Sequence, residues 1–450
     1  MHKVSNNDSR KEVDEINRLL NELFPITRSL TGPGNRETLR ILQDLVPLEI
    51  REYPCGSDVY DWVIPAEWVI KDAYIKNECG DRIVDFKKSN LHVVGYSTPI
   101  EEDLPFASLC PHLHKIDAEG EVIPYRTTYY NRDWGFCVTQ SQYDQLAKSE
   151  GLLSVKIDSE FKEDGSMTVA ELCIPGETTE EYLVSTYFCH PSMANDNLSG
   201  LLATAFLARD MLNAPRLRKS WRFVFVPETI GAIAYLNQNE SEMMNLAGGL
   251  VVTNCGGPGQ MGFKETFLSE HTVDKAICLA FREASIEPLR YPFVPDGSDE
   301  RQYSSPAFRI PVASITKDKY YEYPEYHTSL DNLDFVTGSQ IAESLVVYRR
   351  VLRILDSNQK FQSTQPFCEP HLGKRGMYPN VGGGINQTGS EPLADVESMM
   401  WILFLADGEH DLISISEKSG IRFAEIEFAA DKLREVGLLD SADPQEVQES

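Results

Sequence analysis

Cysteine and histidine are scarce in this chain, nine of each among 450 residues. The cysteines are odd in number and scattered, with no CxxC pair. That excludes a disulfide framework and a zinc ribbon, and leads us to expect reduced thiols in the cytoplasm. Long apolar runs are missing as well. The longest, Met399 to Ala406, has eight residues, where a membrane span needs about 20. The N-terminal MHKVSNNDSRKEVDEIN has no apolar core, so it does not read as a signal peptide. Basic residues are in deficit: 42 Lys and Arg against 69 Asp and Glu give a net charge of −27. Phosphate backbones and anionic lipid surfaces both call for basic protein, so the composition argues against nucleic acid and membrane as partners.

What is present is an ordinary globular mixture, 42% hydrophobic and 25% charged, long enough for two to four domains. Residues 10–46 read as two helices broken at GPGN (32–35). From 55 to 150 short apolar runs separated by Gly, Asn and Asp read as β-rich, ending in a short helix near 140–147. A hairpin is expected through 152–160 and 167–174, turning at Asp164-Gly165. Strand-like runs at 182–189, 221–226, 248–253 and 310–316 then alternate with helical patterns at 198–213, 230–238, 271–285 and 339–356. Continuous apolar strands alternating with amphipathic helices imply a mixed, mainly parallel α/β sheet covered by helices. Residues 357–394 read as a linker or a meandering surface segment. Residues 395–440 give a short helix, a turn at Ser419-Gly420 and a longer helix, the pattern of a winged helix. The expected domains are therefore 1–54 with 151–360, an inserted β-rich 55–150, and a winged helix at 376–450.

In α/β sheets the chemistry lies beyond the C-terminal strand ends. His190 and Asp196 follow the first strand of the series, Glu228 the second, Asn254 the third, and His327 lies in the loop after the last. A His, an Asp and a second His converging there are suitable zinc ligands. Singly, each also fits an ordinary role, a loop histidine or the N-cap of a helix. Asp299 and Arg301, in DGSDERQYSS, are candidate contacts for substrate termini, or plain loop residues, and Asn254 is a further candidate substrate contact. The aromatic stretch YRTTYYNRDWGF is either a specificity wall or core.

Three segments together resemble the co-catalytic zinc aminopeptidases. They are the strand–His–loop–Asp–Asn–x–x–Ser–Gly element in YLVSTYFCHPSMANDNLSG, the strand–Glu element in VFVPETIGAIAYL, and EYHTSLDNLDFV. The whole arrangement is similar to a bacterial family with an aminopeptidase-like domain, a nested small β domain and a C-terminal winged helix, described as polysaccharide-biosynthesis proteins. The resemblance implies His190, Asp196 and His327 as metal ligands, Glu228 as general base, and Asp331 as the residue orienting His327. The sequence departs from the pattern where Thr229 replaces a ligating Glu and Asn254 or Cys255 replaces a ligating Asp. One zinc is therefore expected rather than two.

The expected function is a zinc-dependent, aminopeptidase-type hydrolase acting on a peptide or another amine-bearing small substrate. The alternatives are an amidase or deacetylase of polysaccharide biosynthesis, and a catalytically degenerate metal-binding scaffold. The winged helix is expected to bind a protein partner or a second copy, not DNA. Residues 391–450 carry four Lys and Arg against fifteen Asp and Glu, a net charge of −11.

Overall fold

The computed structural model describes residues 6–116, 120–377 and 396–442. Its centre is an eight-stranded sheet. In spatial order the strands are Glu49–Pro54, Ser166–Ile174, Ser220–Val226, Glu181–Tyr187, Gly248–Val252, Val312–Lys317, Met261–Lys264 and Leu289–Tyr291. The four strands from Ser220–Val226 to Val312–Lys317 run parallel, and antiparallel strands flank them. These central strands are buried almost throughout, which is why their sequences show unbroken apolar runs rather than alternation.

One face of the sheet is covered by helices Asn6–Leu23, Gly200–Leu212, Thr272–Ala284 and Gly338–Ser357. The N-terminal helix presents Ile16, Leu19, Leu20 and Leu23 at helical spacing, all buried. Helix Ile230–Gln238 and the small β unit pack on the other face. Gly200, at the start of its helix, is required by a close approach: a Cβ there would stand 2.4 Å from Val252 O.

The small unit is an antiparallel sheet in the order Arg82–Asp85, Glu67–Lys76, Leu153–Lys162, Ile100–Leu104. The hairpin expected at 152–174 is therefore not formed. Leu153–Lys162 pairs inside the small sheet, whereas Ser166–Ile174 joins the central one. Asp164-Gly165 is a crossing between sheets, where Gly165 lets Glu67 approach, since a Cβ would lie 2.4 Å from that side chain's Cβ. Pro54 pairs with Ser166 and Cys55 N donates to Gly165 O at 3.0 Å, so the segment leaves and re-enters the central sheet at adjacent points.

At the C-terminal end, helices Val396–Leu405, Leu412–Ser419 and Phe423–Glu435 pack on a three-stranded sheet. Gly420 makes the turn between the last two in the left-handed region, φ 72°. The sheet's middle strand is Lys360–Ser363, in the stretch expected to be linker. Phe361 is buried there, but four residues are too few to show a period. Residues 378–394 of that expected linker lie outside the described residues. No helix among the described residues is long and apolar enough to cross a membrane.

Candidate active site

The parallel strands deliver their C-terminal ends to one edge of the sheet. From Glu181–Tyr187 the chain continues through Phe188 and Cys189 to His190, then turns irregularly through Ala194–Ser199, carrying Asp196, before helix Gly200–Leu212 begins. Asn197 pins this turn by donating to Tyr187 O and Thr186 Oγ1, both at 3.0 Å. Glu228 lies two residues beyond strand Ser220–Val226. His327 lies in the loop after Val312–Lys317, in the left-handed region at φ 54°.

His327 Nε2 lies 3.0 Å from Asp196 Oδ2, and His190 Nε2 lies 3.9 Å from the same oxygen. The three ligand atoms all fall within 4.8 Å of one another. Donors about 2.0–2.1 Å from a tetrahedral zinc stand about 3.3 Å apart, so this spacing suits one ion. His327 Nε2 is buried and faces the Asp196 carboxylate. Burial lowers His190 to about 4, leaving it neutral. Burial pushes Asp196 upward, but His190 and His327 outweigh that and hold it at about 2. A neutral imidazole beside an ionised carboxylate is what zinc requires. The residues present therefore fit the metal.

One oxygen of Asp196 is already engaged. Tyr187 donates its hydroxyl to Oδ1 at 2.5 Å, and Thr253 Oγ1 supports that tyrosine at 2.8 Å. The places that would hold further ligands carry Thr229 and Asn254. Thr229 N is tied to Asp299 Oδ1 at 2.7 Å, and Asn254 is fully buried with its N–H on Asn197 Oδ1 at 3.2 Å. Cys189, His190 and Glu228 form a second compact group. Burial keeps the Cys189 thiol protonated, and Sγ already accepts from Glu228 N at 3.3 Å.

Glu228 is partly exposed to the cleft. Its Oε2 stands 3.8 Å from His190 Nε2, and its Oε1 accepts from Ser298 Oγ at 2.6 Å. Burial, and then the charge of Asp196, push its carboxyl up to about 7. That places it in the range of a working general base.

Two of the expected roles change. Asp331, expected to orient His327, instead accepts from Asn195 N at 2.5 Å and Asp196 N at 2.9 Å. Its carboxylate faces the backbone that carries Asp196, so it positions that aspartate and not the histidine. Asp299, expected to meet substrate, has no exposure and fixes the Thr229 backbone. Arg301 is exposed on the short helix Glu300–Tyr303, its side chain lying over Gly297. Tyr187, Ser298 and Asn195 escaped the sequence reading, because nothing local distinguishes a residue whose partner lies across the fold.

This is an α/β protein with the zinc-aminopeptidase fold, carrying its site at the sheet edge and a winged helix at its end. The zinc aminopeptidase of Bacillus subtilis superposes over 76% of this chain and 94% of its own at TM-score 0.56 and 12% identity. An M28 peptidase precursor of Shewanella amazonensis does so over 78% and 96% at 0.52 and 12%. Residues 17–358 match the family described as domain of unknown function DUF4910, and 359–441 match a winged helix-turn-helix. The chain belongs to the DUF4910 family. A Clostridium acetobutylicum protein ascribed to polysaccharide biosynthesis, with an aminopeptidase-like domain, is 43% identical over 94% of this chain and 96% of its own. A crystal structure from the same organism, ascribed to a peptidase, matches 97% of this chain and 98% of its own at 40% identity and TM-score 0.88.

Proposed function

We propose that the chain is a zinc-dependent amide hydrolase of aminopeptidase type. The observation that carries this reading is the convergence of His190 Nε2, Asp196 Oδ2 and His327 Nε2 on one point, with Glu228 beside it. A zinc ion held there would polarise a scissile carbonyl and acidify water. Glu228 takes the proton of the attacking water at Oε2 and returns it to the leaving amine. Ser298 fixes the carboxylate's other oxygen, so the base keeps one orientation. Asp331 and Tyr187 hold Asp196 in place with Oδ2 turned to the histidines. With Oδ1 occupied and Thr229 and Asn254 where further ligands would stand, one ion is the number favoured.

A second reading keeps the chemistry and changes the substrate. The name of the Clostridium acetobutylicum relative favours an amide on a sugar intermediate. The deciding experiment assays the full chain, zinc-loaded and chelator-treated, on aminoacyl-chromophores and on acetylated amino sugars. Chelator-sensitive turnover of the first class supports the aminopeptidase reading, and of the second the sugar amidase. No turnover of either by protein that holds zinc would make the site a degenerate scaffold.

Two expected outcomes accompany this reading. Asp331→Ala removes the acceptor for two backbone N–H groups under Asp196, and is expected to weaken zinc affinity about 10- to 100-fold, read by competition with a zinc dye. The winged helix is proposed to serve a protein partner or a second copy. The full chain is expected to retard no duplex DNA fragment in a gel-shift titration, because a net −11 over residues 391–450 repels phosphate.

A further inference from the structure

Arg28 lies at the end of the N-terminal helix segment and is 1% exposed. Two of its three nitrogens serve the main chain: Nη1 donates to Leu23 O at 2.6 Å and Nε to His190 O at 3.1 Å. Nη2 is buried and has no partner. Among the described residues no carboxylate forms an ion pair with this guanidinium, and burial lowers its pKa to about 10. The terminal carbonyl of the helix compensates part of the charge, but a buried cation is ordinarily paired with an anion.

The space beside Arg28 is a narrow cavity of about 30 Å³, room for a group no larger than a carboxylate. His190 and Glu228 line it, so it is continuous with the candidate active site. Asn90, Tyr125 and Tyr129 of the small β unit close its other side. Asn90 Oδ1 is a second buried polar atom without a partner. Tyr129 is half exposed and held at φ 51°, a left-handed conformation that is uncommon for a bulky residue and clusters at functional sites. An arginine with one unpartnered nitrogen and a strained aromatic thus line one cavity next to the candidate reacting groups, while Asn90 Oδ1 is an acceptor that offers an anion no bond.

We propose that Arg28 and this cavity form a subsite that binds a carboxylate carried by the amide substrate, through Arg28 Nη2. The inference rests on reading the neighbouring site as an amide hydrolase, and it adds the substrate class. A neutral group would leave the buried charge uncompensated. A phosphate would need more donors than the one free nitrogen supplies, since its three oxygens each seek charge-assisted bonds. Glu228 does not oppose the ligand directly, because Oε1 is engaged by Ser298 and Oε2 faces His190. The small β unit then has a catalytic consequence: it walls the pocket that selects the substrate's acidic end.

The test is calorimetric titration of the zinc-loaded full chain with levulinate, which bears a ketone in place of the scissile amide, with levulinamide, and with inorganic phosphate. Levulinate is expected to bind about tenfold more tightly than levulinamide, the worth of one charge-assisted hydrogen bond. That preference is expected to vanish in Arg28→Gln. It is also expected to vanish in Asn90→Asp, which adds a negative charge to the cavity while leaving Arg28 and its main-chain bonds in place. Should Arg28→Gln fail to fold, Asn90→Asp decides. Equal affinity for acid and amide, tighter binding of phosphate, no binding of levulinate, or an undiminished preference in folded Asn90→Asp would overturn the subsite. Hydrolysis of neutral amides with no acid preference would sink the subsite and leave the hydrolase reading standing; acid preference without any hydrolysis would do the reverse.

Discussion

Glu228→Gln is expected to retain its zinc and to lose about 10²- to 10⁴-fold in kcat, the usual worth of a positioned general base. Glutamine keeps the size of the side chain and can still accept from Ser298 Oγ at the position Oε1 now holds. It cannot take a proton. Glu228 stands 3.8 Å from His190 Nε2 but lies outside the His190, Asp196 and His327 set, so metal content has no reason to fall with activity. The check is elemental analysis of the variant beside wild type, together with turnover of whichever chromogenic amide the wild type cleaves. A variant that purifies without metal would make Glu228 a ligand, and one that retains full activity would remove it from the proton transfer.

Much of this site was legible because the strands are. A strand buried on both faces shows as a continuous apolar run, and such runs end where the chain meets the sheet edge; His190, Glu228 and Asn254 follow those endings directly. What was illegible depends on distance in sequence. Arg28 reaches His190 O across 162 residues and Ser298 reaches Glu228 across 70, and no local pattern announces either. Asp331 was misassigned for a related reason. Four residues from His327, it invited a local partner, but the turn Thr328–Asn332 directs its carboxylate at the Asn195-Asp196 backbone. The false hairpin arose from Asp164-Gly165, a strong local turn signal, where the two flanking strands in fact find partners in different sheets. The small sheet and the central sheet share a strand-to-strand crossing that reads like a turn.

His190→Ala and His327→Ala are each expected to abolish tight zinc binding, because each removes one of the three proposed protein ligands. In a two-metal centre the loss of one histidine would leave the second ion with its own carboxylates. Here Asp196 Oδ1 accepts from Tyr187, Thr229 offers only a hydroxyl, and Asn254 offers an uncharged amide where a carboxylate would stand. The wild type is accordingly expected to hold one zinc per chain, and either histidine variant essentially none after dialysis against a weak chelator. Tyr187→Phe sharpens the test, since it frees Oδ1 without touching a ligand. If Tyr187 is what limits the carboxylate to one ion, this variant gains capacity for a second metal at high zinc concentration while the first remains. Two tightly held ions in the wild type would instead mean that the Tyr187 hydroxyl yields Oδ1 on metal binding, and that the carboxylate bridges two ions despite the missing ligands.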